Sequence, residues 1–567
     1  MIFLLRYFFI ILILFDCYVI EAFPQQIVAK SEYGHEPKSL YVNERDALLK
    51  FSSQKDEVTT VRPSSTHPMD NPDWKAPLGP PEERKEKFWI DNGQNYLKHR
   101  LGLTLNKNVA KNIVIFIGDG MSLATQMATR MYMGNENKYL SFEKFPFTGL
   151  SKTYAPNYQV SDSANTASAI LTGSKNNYGT VGVTGDVRLQ NCSAAKEEQF
   201  HLKTIMKWAQ EQGKSTGIVT NTRLTHATPS AAYAISPDRE YENDAVTPAD
   251  CIDIATQLIY RATGQNFNVQ LGGGSREFYP NNEMIHGEKG KRKDGVNLLQ
   301  EWIKLHPVNS KLVLNRDDLL QVNANETDFL FGVFSNSHMS YHMEADHSLE
   351  PTITEMTAKA LEILSKNENG YILLVEGGLI DQAHHRNYAQ MALNETEEFS
   401  KVIQFVKDTT DERETLLVVT ADHSHTLTIG GYPERGNDIL EVGDFSRLDG
   451  LPFLTLTYAN GMSYFDHFEN GTRKNPDDMM KHDPKFAFPA LVPYEDETHG
   501  GEDVAVYANG PWSHLFVGNY EQSYIFHAMM YASRLGDDKY EKAPSSASRN
   551  LSSIIIIVCL SILKIQF

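Results

Sequence analysis

The stretch NIVIFIGDG, residues 112–120, is a short run of β-branched and aromatic residues that stops at a glycine turn bearing one acid. A continuous apolar run of this length reads as a strand covered on both faces, the pattern of a parallel sheet. The form recurs in STGIVTNT (215–222), FNVQLGGG (267–274), YILLVEGG (371–378) and TLLVVTADHS (415–424). Between these runs lie segments with helical periodicity, clearest in FHLKTIMKWAQEQG (200–213), DCIDIATQLIYRAT (250–263) and TITEMTAKALEILSKN (352–367). Strands alternating with helices predict an α/β fold, a central and mostly parallel sheet flanked by helices on both faces. From 431 to 497 the rhythm changes. PFLTLTYANGMSYFDHF (452–468) predicts a hairpin turning at Asn460-Gly461, inside a small β-rich insertion. The sheet pattern returns with DVAVYANG (503–510).

Outward from the sheet, both ends carry processing signals. Residues 1–22 open on an apolar run and reach Ala22, the pattern of a secretory signal peptide. Residues 23–84 are polar and turn-rich, an arm or linker. A helix carrying Phe88, Trp89 and Tyr96 follows. The α/β body then spans 85–430 and is completed by 498–537. Residues 538–567 combine a small polar spacer, APSSASRN, with an apolar tail too short for a comfortable span. That is the pattern of a GPI-attachment signal, with Ser545 and Ser546 as attachment candidates, and it predicts a location on the outer face of the plasma membrane. The alternative is a tail anchor. Of four cysteines, Cys17 lies in the signal and Cys559 in the tail, leaving Cys192 and Cys251 in the mature chain. In an oxidising compartment they predict one disulfide; the other reading is two buried thiols. Glycosylation sequons begin at Asn191, Asn325, Asn394 and Asn470. The net charge of −19 on 567 residues argues against nucleic acid as a partner.

Sites in open α/β sheets form beyond the carboxyl ends of the strands. There the sequence places Asp119, then Arg223, His226 and Thr228, then Glu376, Asp381, His384 and His385, then Asp422, His423 and His425, with His499 just before the late strand. Each alone has an ordinary explanation, such as a helix cap, a turn or an i,i+4 ion pair. Together, acids and histidines at several strand ends suit a centre of more than one metal: imidazole with carboxylate for zinc, oxygen sets for magnesium. Ser163 in QVSDSANTASAILTG (159–173) heads a helical segment. It reads equally as an N-cap and as a nucleophile at a helix N-terminus that binds phosphate.

Taken in order, IVIFIGDGM, SDSANTASA, THATPSAAYA, VEGGLIDQAHH, TADHSHT and ETHGGEDVAVY resemble the animal-type, membrane-bound alkaline phosphatases, over roughly residues 85–535. The resemblance implies a phosphate monoester hydrolase with a phosphoserine intermediate on Ser163, and a crown domain at 431–497. It implies two zinc ions, one held by Asp381, His385 and His499 and one by Asp119, Asp422 and His423. It implies one magnesium on Asp119, Thr228 and Glu376, a phosphate-gripping Arg239, and His226, Gln382 and His425 in supporting positions. It also implies a homodimer, with Tyr432 reaching toward the second copy.

The chain departs from the family in three places. Asn165 and Gln382 stand where many relatives carry a smaller residue and a histidine, and Asn165 is expected to crowd the turn beside Ser163. The loop HGEKGKRKDG (286–295) is basic and Ser335 stands where a glutamate is expected, which speaks against the family's calcium (Ca2+) site. The basic run 289–293 and the His/Met segment SHMSYHMEADHS (337–348) read as a solvated loop and a loop over the core. A surface-anchored binding protein with weak activity on the same scaffold is the rival reading. A sulfatase lacks support because SDSANT has no C/S-x-P-x-R context, and a serine triad because no G-x-S-x-G surrounds Ser163.

Overall fold

The computed structural model describes residues 78–536 and 540. The expected signal peptide, most of the polar arm and the expected attachment signal lie outside the described residues.

Ten strands form the central sheet: β1 (Asn112–Gly118), β2 (Phe147–Lys152), β3 (Ser215–Arg223), β4 (Val269–Gly273), β5 (Ser310–Val313), β6 (Phe329–Val333), β7 (Tyr371–Gly377), β8 (Thr415–Thr420), β9 (Val504–Asn509) and β10 (Gly518–Glu521). Their order is β10-β2-β9-β8-β1-β7-β3-β4-β6-β5. Only β9 runs against its neighbours, β8 and β2. All seven residues of β1 are buried. Ile113, Ile115 and Ile117 enter the core on one face, Val114 and Phe116 on the other. This two-sided burial is why the run is apolar without alternation.

The helices that matter below are α1 (Glu86–Leu101), α2 (Leu123–Tyr132), α3 (Ser163–Thr172), α4 (Ile254–Tyr260), α5 (Ile353–Leu364), α6 (Leu379–His385) and α7 (Ala389–Thr409). Helices α3 and α4 cover one face of the sheet, and α5 and α7 cover the other. The helix with Phe88, Trp89 and Tyr96 forms as α1, and none of its residues is buried.

The insertion at 431–497 has its own small core of Ile439, Leu440, Leu454, Leu456, Tyr458, Phe488 and Ala490, packed against Ala128 of α2 and Leu393 of α7. Its sheet joins Thr428–Ile429, Leu456–Gly461 and Ala490–Pro493. The expected hairpin turn at Asn460-Gly461 does not form. Both residues remain in the strand, opposite Val492 and Pro493 of a parallel neighbour, and a short helix follows at Tyr464–His467. A Cβ on Gly461 would stand 2.1 Å from Asn387 Oδ1, so this glycine permits a close approach.

The basic run is also more than a solvated loop. Arg292 is buried and pairs with Asp253 at 3.0 Å. Asp253 in turn caps α4. That cap also sets the start of the helix at Ile254, four residues into the 250–263 segment. Cys192 and Cys251 form a disulfide with a Cα–Cα distance of 5.2 Å across 59 residues of sequence. By loop-closure entropy such a bridge contributes about 4 kcal/mol. Neither cysteine belongs to the strand ends that carry the acids and histidines. Reduction should therefore lower the melting temperature by about 4 °C while leaving metal content and turnover at 25 °C unchanged. Loss of metal on reduction would contradict this separation.

Candidate metal centre

Strand β1 lies between β7 and β8, with Ile117 opposite Glu376 on one side and Thr420 on the other. This register puts Asp119, Glu376 and Asp422 side by side where the three strands end. Gly120 follows at φ 66°, and a Cβ there would stand 2.3 Å from the His425 ring. The second glycine of GDG is thus required by both backbone and packing.

Three groups of side chains converge here, each with ligand atoms close enough to share one ion. In the first, Nε2 of His385 and Nε2 of His499 lie 3.2 Å apart, and each is 3.4 Å from Asp381 Oδ1. The opposite nitrogens settle the tautomers. Nδ1 of His385 faces the Glu497 carbonyl oxygen at 2.5 Å, and Nδ1 of His499 faces the Ser161 carbonyl oxygen at 2.8 Å. A carbonyl only accepts, so both Nδ1 atoms donate, and in the neutral ring each Nε2 presents a lone pair. Two lone pairs and a carboxylate oxygen aimed at one point repel one another unless a cation stands among them. The residues present fit zinc.

The second group is Asp119, Asp422 and His423, all fully buried. His423 Nε2 stands 3.3 Å from a carboxylate oxygen of each acid, and its Nδ1 faces the Ser424 carbonyl oxygen at 3.2 Å. Ser163 Oγ completes the cluster, 3.1 Å from His423 Nε2 and 3.4 Å from Asp119 Oδ1.

The third group joins Asp119 and Glu376 with His226. Thr228 Oγ1, Glu376 Oε1 and Asp119 Oδ2 are buried with no hydrogen-bond partner in the protein. Orphaned buried oxygens in one place are the mark of a hard cation site. The sequence assigned His226 a supporting position, whereas the fold brings it within ligand distance of this group while its Nε2 also meets Arg239 at 3.0 Å.

The electrostatics agree with cation binding. Burial, with Asp381, Asp422 and Glu376 close by, pushes the Asp119 carboxyl well above its ordinary range. Burial pushes Glu376 up to about 7, and raises Asp422 as well. For Asp381 burial is outweighed by His385 and His425, and its carboxyl is held well down. Burial keeps His423 neutral, as a metal ligand must be.

The remaining expected residues surround these groups. Ser163 is not the N-cap. Asp162 caps α3, accepting from the Ala164 N–H at 3.2 Å, and Ser163 is the first helical residue. Capping is thereby separated from chemistry: Oγ is free of the backbone and faces the second group. Asn165 does not crowd the turn; its Oδ1 accepts the Asp162 N–H at 3.0 Å and closes a capping box. Arg239 donates to Asp162 Oδ2 at 3.2 Å, and its backbone N–H bonds Gly179, whose own N–H bonds Asp162 Oδ1. Gln382 donates to Asp381 Oδ2 at 2.9 Å. His425, expected in a supporting position, has its Nε2 at 2.6 Å from Asp381 Oδ1 and lies within ligand distance of the first group itself.

The sequence missed Glu497. Its carboxylate holds His425 Nδ1 and Thr426, while its carbonyl oxygen takes the His385 Nδ1–H. One residue thus orients two histidines at the first group. In the acidic run EDETH nothing local separates Glu497 from Glu495 and Asp496.

The fold and this geometry agree with what comparison finds. The family model for alkaline phosphatase matches residues 110–535. The tissue-nonspecific alkaline phosphatases of Gallus gallus and Homo sapiens are each 40% identical over 86% of this chain, covering 96% and 95% of their own lengths. The chain belongs to the alkaline phosphatase family. It is accordingly a phosphoric monoester hydrolase. The membrane-bound alkaline phosphatase of Bombyx mori is 41% identical over 81% of the chain and 87% of its own length. Among solved structures, the alkaline phosphatase of Thermus thermophilus superposes with a TM-score of 0.57 at 22% identity over 76% of this chain and 93% of its own. That of the Antarctic bacterium TAB5 gives 0.53 at 21% over 76% and 100%. At those identities the structures speak for the fold.

Proposed function

We propose that this family member transfers the phosphoryl group of its ester first to Ser163 and then to water, at a centre of two zinc ions and one magnesium. Asp381, His385 and His499 would hold the first zinc, Asp119, Asp422 and His423 the second, and Asp119, Thr228 and Glu376 the magnesium, with His226 at hand. The observation that carries this is Ser163 Oγ standing 3.1 Å from His423 Nε2 inside the second group, at the N-terminus of α3. Bound zinc supplies positive charge that makes the serine hydroxyl and an attacking water acidic near neutral pH and stabilises the entering and leaving oxygens.

The protein's own residues do the rest. Ser163 Oγ gives up its proton and forms the new O–P bond as the ester O–P bond breaks, and the departing alkoxide takes up that proton by exchange through water. The N-terminus of α3 would lie beside the phosphoryl oxygens, where the helix dipole favours negative charge, although Asp162 already takes the Ala164 N–H. Arg239 offers a planar fork to two of those oxygens while Asp162 and His226 steady it. Water then attacks phosphorus, Ser163 leaves as its hydroxyl, and inorganic phosphate departs. An intact set of Ser163, Arg239 and ligands weighs against the weakly active binding protein. The test is acid quench of the purified protein during turnover of p-nitrophenyl phosphate, with metal content measured on the same sample. We expect phosphate on the peptide containing Ser163. Turnover with no phosphate on that serine would rule the route out.

The location follows from the two terminal signals. Among the described residues no helix is long and apolar enough to cross a membrane. A GPI lipid at Ser545 or Ser546 would hold the protein at the cell surface, and phosphatidylinositol-specific phospholipase C should release it. Asn191, Asn325 and Asn470 are exposed and suit glycans, whereas Asn394 lies half-buried within α7 with its Oδ1 enclosed. Tyr432 is 87% exposed, a side chain that a second copy would cover. A monomeric mass by light scattering would remove the dimer.

A further inference from the structure

Helix α6 carries two of the three residues assigned to the first zinc, and its start has no cap of its own. The residue before it is Gly378, which has no side chain to offer. The orphan N–H groups are met from another strand. Asn221 Oδ1 accepts from the Gly378 N–H at 2.8 Å and from the Leu379 N–H at 3.2 Å. Asn221 is itself held: its Nδ2 donates to Glu395 Oε2 at 3.2 Å, and Glu395 Oε1 accepts the His342 N–H at 2.6 Å. Both residues are buried. Burial pushes the Glu395 carboxyl up to about 8; above that pH both its oxygens only accept.

Strand geometry explains the choice of position. Successive side chains of a strand point to opposite faces. Thr220 and Thr222 both donate to Glu376 Oε2, the latter at 3.0 Å, while Asn221 between them faces the start of α6. Three consecutive residues at the end of β3 thus reach the magnesium group on one side and the zinc helix on the other. The same node fastens the His/Met segment, since Met339 N–H bonds the Asn221 carbonyl and His342 N–H bonds Glu395.

We infer that Asn221, oriented by Glu395, is a positioning residue for the first zinc set: it fixes the start of α6 and through it Asp381 and His385. The inference rests on the zinc assignment above. Partners hydrogen-bonded to metal ligands are worth about 10- to 100-fold in metal affinity when removed, and Asn221 acts one step behind them, through the helix that carries two of the ligands.

Isosteric changes test it. In Glu395→Gln the new amide must present a donor either to the Asn221 amide group or to the His342 N–H. In Asn221→Asp two carboxylates face each other, and the only donor left to them is a proton that the pair would have to retain at the pH of the measurement. Combining Asn221→Asp with Glu395→Gln restores the pairing with the roles exchanged. The introduced aspartate accepts from the helix N–H groups with one oxygen and from the introduced glutamine amide with the other. The glutamine oxygen still accepts the His342 N–H. The measurement is competition of a chelator against the zinc-loaded full-length protein at pH 9, with metal content and melting temperature followed together. Each single variant should release one of two zinc ions about 10- to 100-fold more readily. The second set, whose side chains touch neither residue, should hold its ion. The double variant should return to within about threefold of the parent, and it also covers the case in which a single variant folds poorly. Parent-like zinc retention in both singles, or a double variant as weak as either, would overturn the inference. If the parent itself does not hold two zinc ions, the zinc assignment falls and takes this with it.

Discussion

Ser163→Ala should fold as the parent does and lose turnover by roughly ten-thousand-fold, with residual activity from the surrounding charges. Two features separate fold from chemistry here. The backbone at the start of α3 is capped by Asp162 and Asn165, so deleting Oγ removes no cap. The hydroxyl meets only Asp119 and His423, both assigned to the second zinc. The change is from a small polar side chain to a smaller one, and the stability cost should stay near about 1 kcal/mol. Zinc content should be unchanged. The comparison is kcat of parent and variant on p-nitrophenyl phosphate at saturating substrate, beside their melting curves. A variant with more than a tenth of parental kcat would remove Ser163 as nucleophile.

Removal of metal should abolish turnover altogether, and zinc with magnesium should restore it. The same treatment should expose a pH-dependent weakness in the fold. Glu376 has an ordinary carboxyl value of 4.5 and is pushed by burial up to about 7 in the metal-free protein. Between those values the folded metal-free chain holds a proton that the unfolded chain has lost. Stability therefore falls as pH rises across that interval, and the loss is complete above it. Asp119, raised by burial and by three neighbouring acids, acts in the same direction. With cations present the ionised carboxylates are the favoured form and the trend should vanish. Melting temperatures of stripped and reloaded protein from pH 4.5 to 8 decide the matter. Parallel curves for the two forms would show that the carboxylate cluster does not hold the ions.

Much of this was legible in the chain because the signals are local. Strands buried on both faces need continuous apolar runs, so β1, β3, β4, β7 and β8 announced the sheet, and the acids and histidines after them announced its working end. The motifs around Asp119, Ser163, Asp381, Asp422 and His499 carried the family, and the two mature cysteines carried the disulfide. The failures came where a local pattern has two structural solutions. Asn460-Gly461 fits a hairpin turn as well as a strand end, and only the Asn387 side chain packed against Gly461 chooses. Ser163 and Asp162 can each cap a helix, and only the backbone path through Asp162 chooses.

The class of fold, the candidate ligands and the candidate nucleophile were readable from the chain, since each rests on a short local motif. Which nitrogen of His385 and of His499 faces inward was open until the chain folded, because that depends on carbonyl oxygens far away in sequence: Glu497 for His385 and Ser161 for His499. Folding likewise brought His226 to Asp119 and Glu376, and set Glu497, Asn221 and Glu395 behind the ligands. Such supporting residues act through single hydrogen bonds across up to 174 positions of sequence, as between Asn221 and Glu395. A hydrogen bond at that separation leaves no periodicity and no motif, only a distance, and distances exist once the chain has folded.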